Sequence, residues 1–214
     1  MRKVIIAAVA GAGLLVTFAA PPISHDAWAS DGFWWRFHVD GSEVEQYEGL
    51  EQMAAASDVV VLGRVTEVSA GRVLGDPAEG FPNPEEGLAH YVNLRIEIDD
   101  VLAGSLPPDH MRSLILEMMT ATPGEGDSMV KSLPTEQGIY FLRNKGIEAR
   151  QLGQSGAAAD AESTYYRLVI IDGLLRVTEG TVRPAPYAEE PFILALNGSP
   201  VADITGRIRA ATKP

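Results

Sequence analysis

Apolar residues in this chain follow three patterns: an unbroken run near the start, alternating stretches through the middle, and a helical stripe at the end. The middle is the most regular. In residues 91–99, Val92, Leu94, Ile96 and Ile98 alternate with Asn93, Arg95, Glu97 and Asp99, which predicts a half-buried strand. Val101-Leu102 continue it and Ala103-Gly104-Ser105 stop it. Val59-Val60-Val61-Leu62 opens a second strand, buried on both faces at first. It emerges through Val65 and Val68, with a bulge at Gly63. Residues 114–118 and 139–142 predict two more strands. Residues 165–171 and 174–178, separated by Asp172-Gly173, predict a hairpin on a two-residue turn. Glu179-Gly180 offers a further turn before Thr181-Val182-Arg183. Residues 69–90, 120–134 and 147–163 are rich in Gly, Pro or small polar residues and predict loops.

Helical spacing appears twice. Leu50, Met53 and Ala54 share a face within residues 47–56. Near the end, Val201, Ile204 and Ile208 form a stripe, with Ser199 as cap, Pro200 in the first turn and Asp203 and Arg207 one turn apart. Earlier, Phe33, Trp35, Phe37 and Val39 lie on one face if that segment is extended. They make it either a strand packed on the core or an aromatic platform for a ligand.

The unbroken run, residues 4–20, follows Arg2 and Lys3 and precedes Ala27-Trp28-Ala29. Positive, then apolar, then small-x-small is the layout of a secretory signal cut before Ser30. The other reading is an uncleaved anchor, for which 17 apolar residues is the lower limit of a bilayer span. The expected organisation is a signal peptide over residues 1–29 and one β-barrel-like domain over 30–214, secreted or held in the cell envelope.

Charge narrows the partners. Lys and Arg total 17 against 29 Asp and Glu, a net charge of −12. Such a surface repels phosphate backbones, so nucleic acid is not an expected partner, and anionic lipid is disfavoured too. There is no cysteine. Disulfides, thiol nucleophiles and zinc–cysteine sites are therefore excluded, and the domain must be held by its core.

Chemical motifs are sparse. Ser128-Met-Val-Lys131 fits a Ser-x-x-Lys pattern but lacks the Ser-Asp-Asn and Lys-Thr-Gly partners of penicillin-interacting enzymes. His38 with Asp40, and Asp109 with His110, each supply two groups where a metal needs three or four. His90 opens a strand and reads as structural. The neighbours Asp99 and Asp100 point to opposite faces of a strand, and Glu85-Glu86 read as solvated charge. No catalytic, metal or cofactor residue is assigned. The candidate binding surface is Trp34, Trp35 and Phe81, and the faces carrying loops 69–90 and 120–134 are where a partner is sought.

Residues 50–146 resemble the core of netrin-like domains, the OB-fold-related module also found in tissue inhibitors of metalloproteinases. A helix-like segment leads into Ser57-Asp58-Val59-Val60-Val61-Leu62-Gly63-Arg64-Val65. Asp100-Val101-Leu102-Ala103-Gly104-Ser105 resembles the family's V-x-K-G turn, with Ala103 at the usual Lys. Residues 114–117 supply a strand, and Gln137-Gly138-Ile139-Tyr140-Phe141-Leu142 resembles its G-x-x-Y-L-x-F strand. The family's disulfides and its zinc-chelating N-terminal cysteine are missing, so protease inhibition does not carry over. The resemblance implies a small OB-like Greek-key barrel. With the patterns above, the expected fold is mostly β with flanking helices, a barrel plus a C-terminal helix. The expected function is that of an exported non-catalytic binding module for an envelope or extracytoplasmic partner, and the alternative is an extracytoplasmic hydrolase with a carboxylate or His site. Fold alone decides neither.

Overall fold

Two long strands set the frame. β1 (Val59–Gly75) and β2 (Leu88–Gly104) pair antiparallel along most of their length. The computed structural model describes residues 31–38, 45–75, 88–120 and 128–212. Register shifts at Val60/Val61, Leu62/Gly63, Val65/Glu67 and Ala70/Val73 interrupt the β1–β2 ladder. Each raises the local twist, which lets so long a hairpin coil instead of lying flat.

The coil closes into a ring. β3 (Ser113–Thr120) adds antiparallel to β2, and β4 (Gln137–Asn144) pairs antiparallel with the start of β1. β5 (Tyr165–Leu168) fills the gap, parallel to β3 and antiparallel to β4. The order β1-β2-β3-β5-β4, returning to β1, is an OB-like Greek-key connectivity. β6 (Leu174–Thr178) and β7 (Thr181–Pro184) extend the sheet beyond β4. The fold is thus mostly β with flanking helices, as the alternation predicts.

Helices α1 (Leu50–Ala56), α2 (Lys145–Gln151), α3 (Ala157–Glu162), α4 (Pro191–Leu194) and α5 (Val201–Ala211) accompany the sheet. Among the described residues no helix is long and apolar enough to cross a membrane. Two apolar cores result. Val59, Val61, Leu94, Ile96, Leu116, Tyr140 and Leu142 fill the barrel, together with Phe33, Trp34 and Phe37. Val60, Ile139, Phe141 and Leu175 face the other way, onto Leu50 and Met53 of α1, Ile193 of α4, and Ile204 and Ile208 of α5. Burial of both faces explains why β1 and β4 begin as continuous apolar runs.

Several sequence expectations change. The segment around Asp172-Gly173 is not a hairpin. β5 and β6 run in the same direction along one edge of β4, joined by an excursion in which residues 169–173 stand opposite the single residue Phe141. Burial of Val169 and Ile170 in the outer core favours that excursion over a chain reversal. The two-residue hairpin is instead Glu179-Gly180, both with positive φ (52° and 76°), between β6 and β7. Residues 147–163 are mostly helix rather than loop. Asn144 caps α2 by accepting from the backbone N–H groups of Gly146 and Ile147. Residues 31–34 and Trp35–Phe37 are helical, not extended, which turns Phe33, Trp34 and Phe37 together into the barrel. At α5, Pro200 is the N-cap, with no side-chain cap bond, and Arg207 reaches Glu51 of α1 at 2.7 Å. The expected loop 69–90 shortens, since β1 runs to Gly75 and β2 starts at Leu88; residues 76–87 lie outside the described residues.

Candidate functional site

A cleft of about 590 Å³ opens between the 105–110 connection and the α2–α3 pair. Its position follows from the closure of the ring. Asp58, just before β1, and Asn144, the last residue of β4, meet there because β1 and β4 pair in register from Val59 and Leu142. The backbone N–H of Asn144 donates to Asp58 Oδ2 at 2.8 Å, and Asn144 Nδ2 donates to the carbonyl of Ser163 at 2.8 Å. Asn144 therefore fixes the barrel mouth and the helical wall at once. Gly104 ends β2 at φ 74°, and a Cβ there would lie 2.1 Å from the Asp58 carbonyl oxygen. Only glycine lets the chain turn so close to Asp58.

The floor is Tyr166 of β5, buried, with its hydroxyl 3.1 Å from His110 Nδ1. The rings of these two residues meet edge to face at 5.6 Å. Burial pushes the Tyr166 phenol above its ordinary range. A hydrogen bond from Asn144 works against this, and the fields of Asp58 and Asp109 add to it. Leu106, Pro107 and Ile147 supply an apolar flank. At the rim, Arg150 donates to Asp160 at 2.8 Å and to Ser163 Oγ at 3.2 Å.

Behind the wall, a charge cluster ties α2 and α3 to the barrel. The Glu117 side chain of β3 is 0% exposed. It accepts from Arg72 Nε and Nη2, at 2.8 and 2.7 Å, and from Lys145 Nζ. Arg72 also pairs with Glu162, the last residue of α3, and lies 4.4 Å over the Tyr165 ring. Burial pulls the Glu117 carboxyl up, yet the bonds from Arg72 and Lys145 hold it below the usual carboxylate range.

The sequence-derived candidates are scattered. Trp34 is 1% exposed, donates from Nε1 to Glu136 at 3.2 Å, and packs on Phe33 and Tyr140, so it offers no binding surface. Its helical setting turns the indole into the barrel. Trp35 is 53% exposed and stacks on His38, which stacks in turn on Tyr187. Phe81, Asp40, Glu85 and Glu86 lie outside the described residues. Ser128 accepts from Arg36 at 2.5 Å. Asp99 accepts from Arg64 and Gln137, while Asp100 pairs with Arg209, so those two carboxylates do serve separate faces. His90 pairs in register with Thr120 and Val73, away from the cleft. Of the paired groups weighed in the sequence, Asp109 and His110 alone line the cleft among the described residues. Among the described residues no three His, Asp or Glu gather as metal ligands.

Reading the sequence missed Asp58, Asn144, Arg150 and Tyr166. Two signals pointed to the wall. Asn144 before Lys145 is an N-cap, and Ala157-Ala-Ala-Asp-Ala-Glu162 has strong helix propensity. Compared with family models, curated proteins and solved structures, the chain matches none, so the chemistry of this cleft stands on its own residues.

Proposed function

We propose that this chain works beyond the cytoplasmic membrane as a non-catalytic binding module, with its ligand seated in the cleft between residues 105–110 and the α2–α3 pair. The observation that carries this is a built concavity. Its floor and walls are held by internal hydrogen bonds, from Asn144 to Asp58 and Ser163 and between His110 and Tyr166, so its shape exists before any ligand arrives. Preformed walls spare a ligand the cost of ordering them. The OB-like connectivity supports the netrin-like resemblance of residues 50–146, a family used as interaction modules, and loops at barrel mouths carry most sites on such scaffolds.

A second function, hydrolysis, is favoured by one feature: His110 shares the cleft with Asp58 and Asp109. The contacts count against it. His110 Nδ1 is directed to the Tyr166 hydroxyl, and Ser163 Oγ donates to the Ala159 carbonyl. Neither serine of the cleft, Ser105 or Ser163, has a hydrogen bond to His110 among the described residues, so no nucleophile–base pair is assembled.

Filling the cleft tests the binding function. Ser105→Trp places an indole at an exposed rim position. It should abolish capture of the ligand retained by the wild-type protein while leaving the melting temperature within a few degrees. Equal capture by both proteins refutes the cleft as the site. Location is tested by mass spectrometry of the mature N-terminus, which should begin at or near Ser30. An intact Met1 in the cytosol refutes export.

A further inference from the structure

We propose that the cleft selects ligands carrying a cationic head on a short aliphatic stem, an alkylammonium or alkylguanidinium group; this rests on the cleft being the binding site. The balance of charge inside the cavity is the first ground. Among the described residues three carboxylates line it, Asp58, Asp109 and Asp160, against a single permanent cation, Arg150. Arg150 is already committed to Asp160 at 2.8 Å. Two carboxylates remain. Asp58 offers one oxygen to the Asn144 backbone, and Asp109 is exposed with no ion-pair partner among the described residues.

The floor supplies the second ground. The Tyr166 hydroxyl has one proton and two lone pairs, and it meets both His110 Nδ1, at 3.1 Å, and a hydrogen bond from the Asn144 side chain. With its proton on His110 Nδ1 and one lone pair taken by Asn144, the hydroxyl has a second lone pair for an N–H donor in the cavity. Burial, and after it the fields of Asp58 and Asp109, oppose ionisation of the Tyr166 phenol, so the hydroxyl stays neutral beside those carboxylates. The third ground is shape. Leu106, Pro107 and Ile147 form an apolar flank beside these oxygens, suited to a methylene stem. A phosphate or carboxylate ligand would face two carboxylates, while the one permanent cation among the described lining residues is paired with Asp160. The net charge of −12 steers cations toward the molecule at low salt.

The test uses the full mature protein, isotope-labelled, and three probes of equal length: n-butylammonium, n-butanol and butyrate. Amide signals of the cleft, those of Leu106, Ile147 and Ser163, are followed by NMR titration. Butylammonium should shift them saturably and butanol should bind at least tenfold more weakly. Butyrate should leave them unmoved. Asp109 is exposed, so Asp109→Asn and Asp109→Lys should fold normally. The first should weaken butylammonium about fivefold, the effect of one charge at about 4 Å in solvent, and the second more than tenfold. Equal binding of butanol and butylammonium overturns the cationic preference, as does wild-type affinity in Asp109→Lys. Preferential shifts by butyrate at the same signals overturn the preference and leave the cleft standing as a binding site. Failure of all three probes to move any cleft signal removes both.

Discussion

Replacing Glu117 with glutamine should reveal how much the helical wall of the cleft depends on one buried charge. In the wild type, Glu117 is enclosed and satisfied by Arg72 and Lys145. Glutamine keeps the shape and one acceptor but removes the negative charge. Arg72 retains Glu162, whereas Lys145, 15% exposed, loses its carboxylate. Removing one partner of a buried pair costs roughly 3–5 kcal/mol, because the other charge is stranded. The retained acceptor and the partial exposure of both cations place Glu117→Gln near the lower end, about 3 kcal/mol. For a chain of this size that is a fall in Tm of about 6–12 °C. Urea denaturation should show a lower midpoint with an unchanged slope. Adding Lys145→Met to Glu117→Gln should recover part of the loss, since no stranded ammonium then remains. The pH dependence has a definite sign. The folded carboxyl is held below its ordinary value of 4.5, so its contribution is complete above that value and is lost as pH falls through the folded value. The gap between wild type and Glu117→Gln should therefore be widest near neutrality and narrow on acidification toward pH 3. A change under about 0.5 kcal/mol at pH 7 would refute the reasoning, as would a gap that widens in acid.

Gly104→Ala forces a Cβ against the Asp58 carbonyl at a φ of 74°, and should cost about 1–3 kcal/mol by urea denaturation; an unchanged midpoint would contradict the tight turn. Trp34→Ala opens a large void against Phe33, Phe37 and Tyr140 and should cost about 3–5 kcal/mol, with loss of near-ultraviolet circular dichroism signal. Arg207→Ala breaks an exposed pair with Glu51 and should stay within about 1 kcal/mol of wild type. A larger drop would mean that α1 and α5 rely on that pair more than on Ile204, Ile208 and Met53.

The sequence revealed the strands better than their partners. Alternation in residues 91–99 and the stripe of Val201, Ile204 and Ile208 each reflect one local period, and both elements formed where that period placed them. Asp172-Gly173 failed because turn chemistry is a local preference. Here Val169 and Ile170 gain an apolar core by staying beside β4, and the Asp172 carboxylate is used to accept the Glu189 and Glu190 backbone N–H groups. Residues 33–37 misled for a related reason: in so short a segment, alternating aromatics suit a strand as well as a one-sided helical turn. The cleft was hardest. Asp58 and Asn144 are 86 positions apart and meet only because β1 and β4 close the ring, a pairing that no local window contains.

The two apolar cores share their strands. Consecutive residues of β4, Ile139 and Tyr140 or Phe141 and Leu142, dip alternately into one core and then the other, as Val59, Val60 and Val61 do in β1. Melting either core would strip one side from strands that the other still needs. The barrel and its outer helical layer should therefore unfold as one cooperative unit in a single transition. The backbone amides of β1 and β4, screened on both sides, should be the last to exchange with deuterated solvent.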